Sequence, residues 1–362
     1  MAVAPMSILG RYLTTLILAS VGLALAVLLL LFSFFDLLEE MGALGQGNYT
    51  MVKALLYVLL RLPGRIHELM PIALVIGALF ALAQLAVNSE FNVMRASGLS
   101  PHRLIKLMLG LGASFALAIL LLGELVTPLA EQAAQQIKLR TTSKIVAQEF
   151  KSGLWAKDGQ SFVNAREVLP DNTLVGLQVF QFDPNFHLQT IQTAETGVWS
   201  NKGYWQLNRV QRTRLSAEGT TIEHFPSLNW SSSITPDLLS VLTVAPDRMA
   251  LRTLYAYIGH LKENRQKTSR FEIALWNKIV YPLAAPIMLL LALPFAYLQP
   301  RGTGISTRVM FGVLIGLAFY LLNRLSAHLG LLNDWPPALS ASLPVVLFCG
   351  IAATGLWLAE RR

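Results

Sequence analysis

The sequence predicts an α-helical membrane protein with six transmembrane helices and one inserted all-β, jellyroll-like domain. Three observations lead there. Of 362 residues, 54% are hydrophobic and only 14% are charged, against about 25% charged in an ordinary soluble domain. Six uncharged runs are long enough, or nearly so, to cross a membrane, whose hydrocarbon core of about 30 Å takes roughly 20 helical residues. Between the third and fourth runs the composition changes to short mixed segments punctuated by turns.

The first run lies between Arg11 and Asp36, the second between Glu68 and Glu90, and the third between Lys106 and Glu124. The fourth lies between Lys278 and Arg301, and the sixth between Asp334 and Glu360. The fifth, Arg308 to Arg324, is the shortest and is expected to extend past its flanking charges. The first run is too long for the apolar region of a signal peptide, and no small-residue cleavage site follows it. It reads as an uncleaved anchor. Lysine and arginine in short loops mark the cytoplasmic side. Arg11, the loop with Arg95, Arg103 and Lys106, the loop with Arg301 and Arg308, and the tail Arg361-Arg362 fall on one side of six crossings. Both termini are therefore expected in the cytoplasm and the insertion outside it.

This divides the chain into residues 1–127 (three spans), 128–270 (the insertion) and 271–362 (three spans). After Pro128, the residues Glu131, Gln132, Gln135, Gln136, Lys138 and Arg140 favour a helical approach. Leu174–Phe182 has strand length and is broken by Asp183-Pro184-Asn185, while Asn201-Lys202-Gly203 and Glu218-Gly219 mark further turns. Tyr204 to Leu207 alternates, and Thr220–Phe225 is β-rich. Strands this short and close suggest an antiparallel sandwich or jelly roll, with Phe180 and Leu207 as inward positions. A helical exit over Met249–Lys262 places Leu251, Leu254, Tyr255, Ile258 and Leu261 on one face. Trp276 and Tyr281 stand where an aromatic belt is expected.

The net charge of +8 fits membrane orientation and anionic lipid better than nucleic acid, because the basic residues are spread singly along loops. A lone cysteine, Cys349, and scattered histidines offer neither a disulfide nor a metal site. Walker A, GxSxG and HExxH patterns are missing. Gly110-Leu111-Gly112 and Gly302-Thr303-Gly304 are fragments better read as helix packing and a turn. The chain is expected to carry no catalytic residue, metal or cofactor of its own. Glu124, near a span end, is the nearest candidate for a buried functional carboxylate.

The connector between the second and third runs is more informative. Asn88 or Ser89 can cap a short helix over about residues 89–98, with Glu90 in its first turn. Gly98 can end it, and Ser100-Pro101 can start the next. Glu90, Val93, Met94 and Ser97 fall near one face by helical spacing. Such a helix suits either docking into a partner's groove or contact with headgroups alone.

These residues carry a resemblance. Ser89-Glu90, then Val93-Met94-Arg95-Ala96-Ser97-Gly98, resembles the cytoplasmic coupling helix of the LptF/LptG family of lipopolysaccharide export permeases. Gly153-Leu154-Trp155-Ala156-Lys157-Asp158-Gly159 resembles the start of that family's periplasmic β-domain. Trp276-Asn277-Lys278 with Pro282 is similar to its return to the membrane. The likeness covers essentially the whole chain and lies nearer the LptG branch. It implies a permease subunit in the bacterial inner membrane, paired with an LptF-type permease. Two copies of an LptB-type ATPase would bind the ATP and Mg, and an LptC-type single-span jellyroll protein would join the complex. Lipopolysaccharide would enter between the first and fifth spans and leave along a periplasmic β-jellyroll bridge.

The resemblance also implies site residues. Glu90, Val93, Met94 and Arg95 would couple to the ATPase. Arg61, Arg65, Lys138 and Arg324 stand on the outer side, where such residues should be scarce; they suit either an outward basic ring for substrate phosphates, with Lys138 the best match to a basic family position, or snorkelling and pairing with Glu68, Glu124 or Asp36. Phe34 and Phe319 would face acyl chains. One departure stands out: where the family often carries lysines, this chain has Asp36-Leu37-Leu38-Glu39-Glu40, which weakens a phosphate-binding role for that stretch. Two other readings stay open, a scaffold or sensor whose β-domain binds periplasmic proteins, and a permease for lipoprotein release or another envelope lipid.

Overall fold

The computed structural model describes residues 8–45, 48–98, 100–141, 154–168, 173–200, 203–216, 219–236, 246–297 and 305–361, without the side chains of Asn92, Arg95, Leu139, Arg140, Thr141, Glu167, Tyr297 and Glu360. Gly153, Arg301 and the Gly302-Thr303-Gly304 fragment therefore lie outside the described residues. The chain forms two compact units. The first comprises Met1–Asp36, Arg61–Pro128 and Ser269–Arg362; the second comprises Leu37–Leu60 and Leu129–Thr268.

Among the described residues, six helices are long and apolar enough to span: Ile8–Met41, Met51–Val87, Pro101–Lys138, Ser269–Ala296, Ile305–Leu332 and Pro337–Ala359. They are called the first to sixth spans below. The fifth absorbs Arg308 and Arg324, as its short uncharged run requires. The first two contain 34 and 37 residues, about 51 and 55 Å at 1.5 Å per residue. They exceed a bilayer core, and their surplus turns carry Leu37–Leu60 into the second unit.

The second span is the most buried and forms the centre of the first unit. Its Gly77 lies so close to the first span that a Cβ would stand 2.5 Å from the Val21 Cα. Gly112 of the third span meets Pro286 of the fourth in the same way. Small residues let helices approach where no hydrophobic effect drives them together. Leu74, Leu79, Met108, Met288, Leu289 and Phe319 fill the space between them.

The connector is a helix over Glu90–Ala96, with Gly98 at φ +93° ending it and Ser100 capping the third span through the Arg103 amide.

In the second unit, strands β1 (Leu154–Asp158), β2 (Ser161–Val168), β3 (Leu174–Phe182), β4 (Leu188–Trp199), β5 (Trp205–Ser216) and β6 (Gly219–Trp230) form one antiparallel sheet in sequential order. β3 has the bounds read from the sequence. The neighbours in space are neighbours in sequence, so the described strands contain no jellyroll crossover. The described strands form a curled antiparallel meander rather than the expected jelly roll. In a flat sheet β1 and β6 would be about 24 Å apart, five spacings of 4.8 Å. Yet the Asp158 carboxylate accepts hydrogen bonds from the Ser233 hydroxyl and amide just past β6. Leu154 and Ala156 from one edge share an apolar cluster with Leu228 and Trp230 from the other. Ile234 caps that cluster, and its carbonyl accepts from the Trp205 indole at 2.7 Å.

Leu207 faces inward as expected, but Phe180 does not. Leu177 and Val179 point into the cluster, so Phe180 falls on the outer face by strand alternation and stacks on Trp155 at 5.8 Å. The exit helix, Leu251–Glu263, buries Leu254, Tyr257, Ile258 and Leu261, whereas Tyr255 is exposed. Tyr281 is buried rather than part of a belt.

Candidate functional site

Helical spacing sets Arg61, Arg65 and Glu68 along one side of the second span. Asp36 of the first span meets them. The Arg65 guanidinium forks onto Asp36, through Nε to Oδ2 at 2.8 Å and through Nη2 to Oδ1, and its Nη1 donates to Glu68 Oε2 at 3.0 Å. Glu68 Oε1 accepts from Arg324 Nη2 at 2.9 Å and from the Tyr320 hydroxyl at 3.0 Å, both on the fifth span. The Glu68 backbone carbonyl accepts from the Tyr281 hydroxyl at 2.7 Å. Two carboxylates thus balance two arginines. The pairs differ in exposure: the Arg65 side chain is 17% exposed and that of Arg324 66%. Arg65 braces the first span to the second. Arg324 holds Glu68 from a position where another anion can reach its guanidinium. Arg61 is half-buried on the same span.

The second unit holds its own cluster. Lys138 Nζ donates to Glu40 Oε1 at 2.7 Å, and the Tyr49 hydroxyl donates to Glu40 Oε2 at 2.9 Å. The ammonium also sits 4.9 Å from the Tyr57 ring centre. Burial, and then the adjoining Glu40 carboxylate, push the Tyr49 phenol well above its ordinary value. Arg248 Nη1 donates to both oxygens of buried Glu131, at 2.9 Å to Oε1 and 2.8 Å to Oε2. The acidic departure at Asp36 and Glu40 therefore serves as counter-charge to the chain's own Arg65 and Lys138. In the first unit Arg65 and Arg324 are paired with Asp36 and Glu68, and in the second Lys138 is paired with Glu40.

The connector helix turns differently from the face read in the sequence. Phe91 and Met94, three residues apart, face inward; Met94 is 6% exposed and belongs to the core of the first unit. Val93 points away from it and is 64% exposed. Glu90 Oε2 accepts from the Tyr12 hydroxyl of the first span at 2.8 Å, and Glu90 Oε1 accepts from the Asn88 amide at 3.2 Å. Met94 is thus an anchor to this chain rather than a plug for a partner. The side chain of Arg95 lies outside the described residues.

Residues 11–361 match the family described as lipopolysaccharide export system permease LptF/LptG. The chain belongs to this family. It is 31% identical over 360 residues to the Escherichia coli K12 lipopolysaccharide export system permease protein LptG, covering 99% of both chains. It is 29% identical over 355 residues to the Haemophilus influenzae Rd protein of the same name, covering 98% of both.

An apolar side chain can meet acyl chains only where it is exposed. Phe34 of the first span, 57% exposed, fits that role. Phe319, 1% exposed, does not: it packs edge-on against Phe348 at 5.2 Å and beside Tyr281 at 6.2 Å. Neighbouring positions on a helix point up to 100° apart, so an apolar run cannot show which phenylalanine faces the core. Tyr320 and Tyr49 carry no signal in the sequence that ties them to these carboxylates. The i,i+3 spacing of Arg65 and Glu68 is the one signal of this network that is legible in the sequence.

Proposed function

We propose that this chain is the LptG-type permease subunit of an ATP-driven exporter that lifts lipopolysaccharide from the outer leaflet of the bacterial inner membrane to a periplasmic β-bridge. The observation that carries this reading is the end-to-end likeness to proteins named lipopolysaccharide export permeases, across spans and β-domain alike. An LptF-type subunit completes the permease, and an LptC-type protein extends the bridge. The termini and the connector lie in the cytoplasm and the β-domain in the periplasm, by the lysine and arginine bias of the short loops.

ATP is bound and hydrolysed by a separate LptB-type dimer against the connector. Glu90 and Val93 form its outward contact, with Arg95 beside them. Phe91 and Met94, packed in this chain's core, make the short helix a stiff handle, so a push on it moves the spans rather than bending the loop. At the opposite end, Arg324 exchanges Glu68 for a substrate phosphate, Arg61 adds charge beside it, and Arg65 keeps the frame. Lys138 offers a second cation if phosphate displaces it from Glu40. Phe34 faces acyl chains.

The test is purification from membranes with partner subunits, followed by identification of the bound lipid and reconstitution. Lipopolysaccharide recovered with the complex, and ATP hydrolysis stimulated by it, is the expected result. A triacylated lipoprotein recovered instead, or a chain that purifies with no ATPase, would overturn the reading.

A further inference from the structure

The third span changes register at one place. It is α-helical over Pro101–Leu121, passes through a π-turn at Leu122–Val126, and resumes as α-helix at Thr127. Pro128 is the local cause. It has no N–H, and its ring crowds the carbonyl four residues earlier, that of Glu124. In response, the Thr127 amide reaches back five residues to the Leu122 carbonyl. The accounts of the backbone then leave one acceptor over. At α spacing the Gly123 carbonyl would take the Thr127 amide, which is already used. At π spacing it would take that of Pro128, which does not exist.

A side chain from another helix fills the gap. Lys278 of the fourth span is buried, donates from Nζ to the Gly123 carbonyl at 3.0 Å, and lies 3.5 Å from Glu124 Oε2. The place is built closely. A Cβ on Gly123 would stand 2.8 Å from ring atoms of His67, so only glycine fits. His67 Nδ1 lies 3.1 Å from the Ile119 carbonyl, and its ring stacks at 5.3 Å on Tyr281. Tyr281 opens the 3-10 turn, Tyr281–Leu283, that interrupts the fourth span. Two helix irregularities thus face each other.

A second donor stands ready. Thr127 is four residues beyond Gly123, where a helical threonine hydroxyl reaches the carbonyl of residue i−4. Its hydroxyl is buried and has no partner among the described residues, while its methyl packs towards Gly64. We propose that the Gly123 carbonyl is a two-position latch: Lys278 holds it when the third and fourth spans are engaged, and the Thr127 hydroxyl takes it over when they part. A side-chain donor can leave without unwinding the helix, and a local hydroxyl removes the penalty of a bare carbonyl in an apolar surrounding. The third span therefore has two states with its backbone acceptors satisfied in both, which is the requirement for a joint that cycles.

The test is hydrogen–deuterium exchange of the amides around residues 120–130 in the purified full-length chain in lipid nanodiscs. Transport is not read, so failure of the export reading would leave this result standing. Lys278→Met is expected to speed exchange roughly tenfold or more, the weight of one charge-assisted hydrogen bond. Thr127→Val alone is expected to change it by less than about twofold, because in the latched state the hydroxyl is idle. The double variant is expected to exceed the product of the singles, because the carbonyl then has neither donor. A multiplicative double variant, an inert Lys278→Met, or the same acceleration from Glu124→Gln would overturn the latch, the last by assigning the effect to the ion pair. If Lys278→Met does not accumulate in membranes, accumulation becomes the measure. Pro128→Ala, which returns an N–H to the bend, should then restore it, and failure to do so would also overturn the proposal.

Discussion

Arg65 and Arg324 bind the same carboxylate yet should respond to substitution in opposite ways. Arg324→Gln removes one bond to Glu68 from a side chain that is mostly exposed. Exposed pairs contribute about 0–1 kcal/mol, and Glu68 keeps Arg65 and Tyr320 as partners. Arg65→Gln removes both bonds to Asp36 and one to Glu68, and leaves buried Asp36 without its guanidinium. Losing one partner of a buried pair costs roughly 3–5 kcal/mol. The two variants should therefore differ by about 2 kcal/mol or more in stability. Thermal unfolding of the purified chain in one detergent measures this, and lipopolysaccharide-stimulated ATP hydrolysis by the reconstituted complex measures the other side. Arg324→Gln should unfold near the parent temperature and lose stimulation while keeping basal hydrolysis. Arg65→Gln should be visibly unstable. Equal losses of stability would refute the burial reasoning, and unchanged stimulation in Arg324→Gln would remove it from substrate contact.

Three further outcomes are expected. On the connector, Val93→Asp should leave folding intact and abolish co-purification of the ATPase, whereas Met94→Asp should prevent accumulation because it puts a charge into the core; the reverse pattern in a pull-down and membrane-yield assay would mean the helix is rotated. Gly77→Ala should be costly, about 1–3 kcal/mol or more of overpacking, because Val21 backbone lies in the way, whereas Gly22→Ala meets nothing within 4 Å and should be silent in thermal unfolding. The phenol of Tyr49 is held above its ordinary value, so its contribution is full below about pH 10 and declines as pH rises beyond that. Tyr49→Phe should flatten the alkaline part of the stability profile, and an unchanged slope would mean that another group controls it.

Much of this protein was legible from local patterns. Each span is built around an uncharged stretch long enough, or nearly so, for a bilayer core, and Pro101, Gly98 and Ser100 punctuate the connector in ways that depend on neighbours a few residues away. The bounds of β3 follow from alternation and from the Asp183-Pro184-Asn185 break. The connector helix and the family likeness rest on such contiguous motifs. The rotation of each helix did not emerge. Met94 and Val93 are adjacent and both apolar, so spacing alone could assign either to a partner. Phe319 sits in an apolar run where every position looks fit for lipid.

The sequence by itself determined the number of spans, the place of the β insertion and the family, because hydrophobic length, turn chemistry and motif order are properties of a continuous chain. Only the tertiary structure decided which carboxylate neutralises which cation. Asp36 with Arg65, Glu68 with Arg324 and Glu40 with Lys138 are separated by 29, 256 and 98 positions. Whether such charges meet depends on the phase and closeness of packed helices. Those are set by contacts such as Gly77 on Val21 and by the single extra residue of the π-turn before Pro128, which turns all that follows by about 100°.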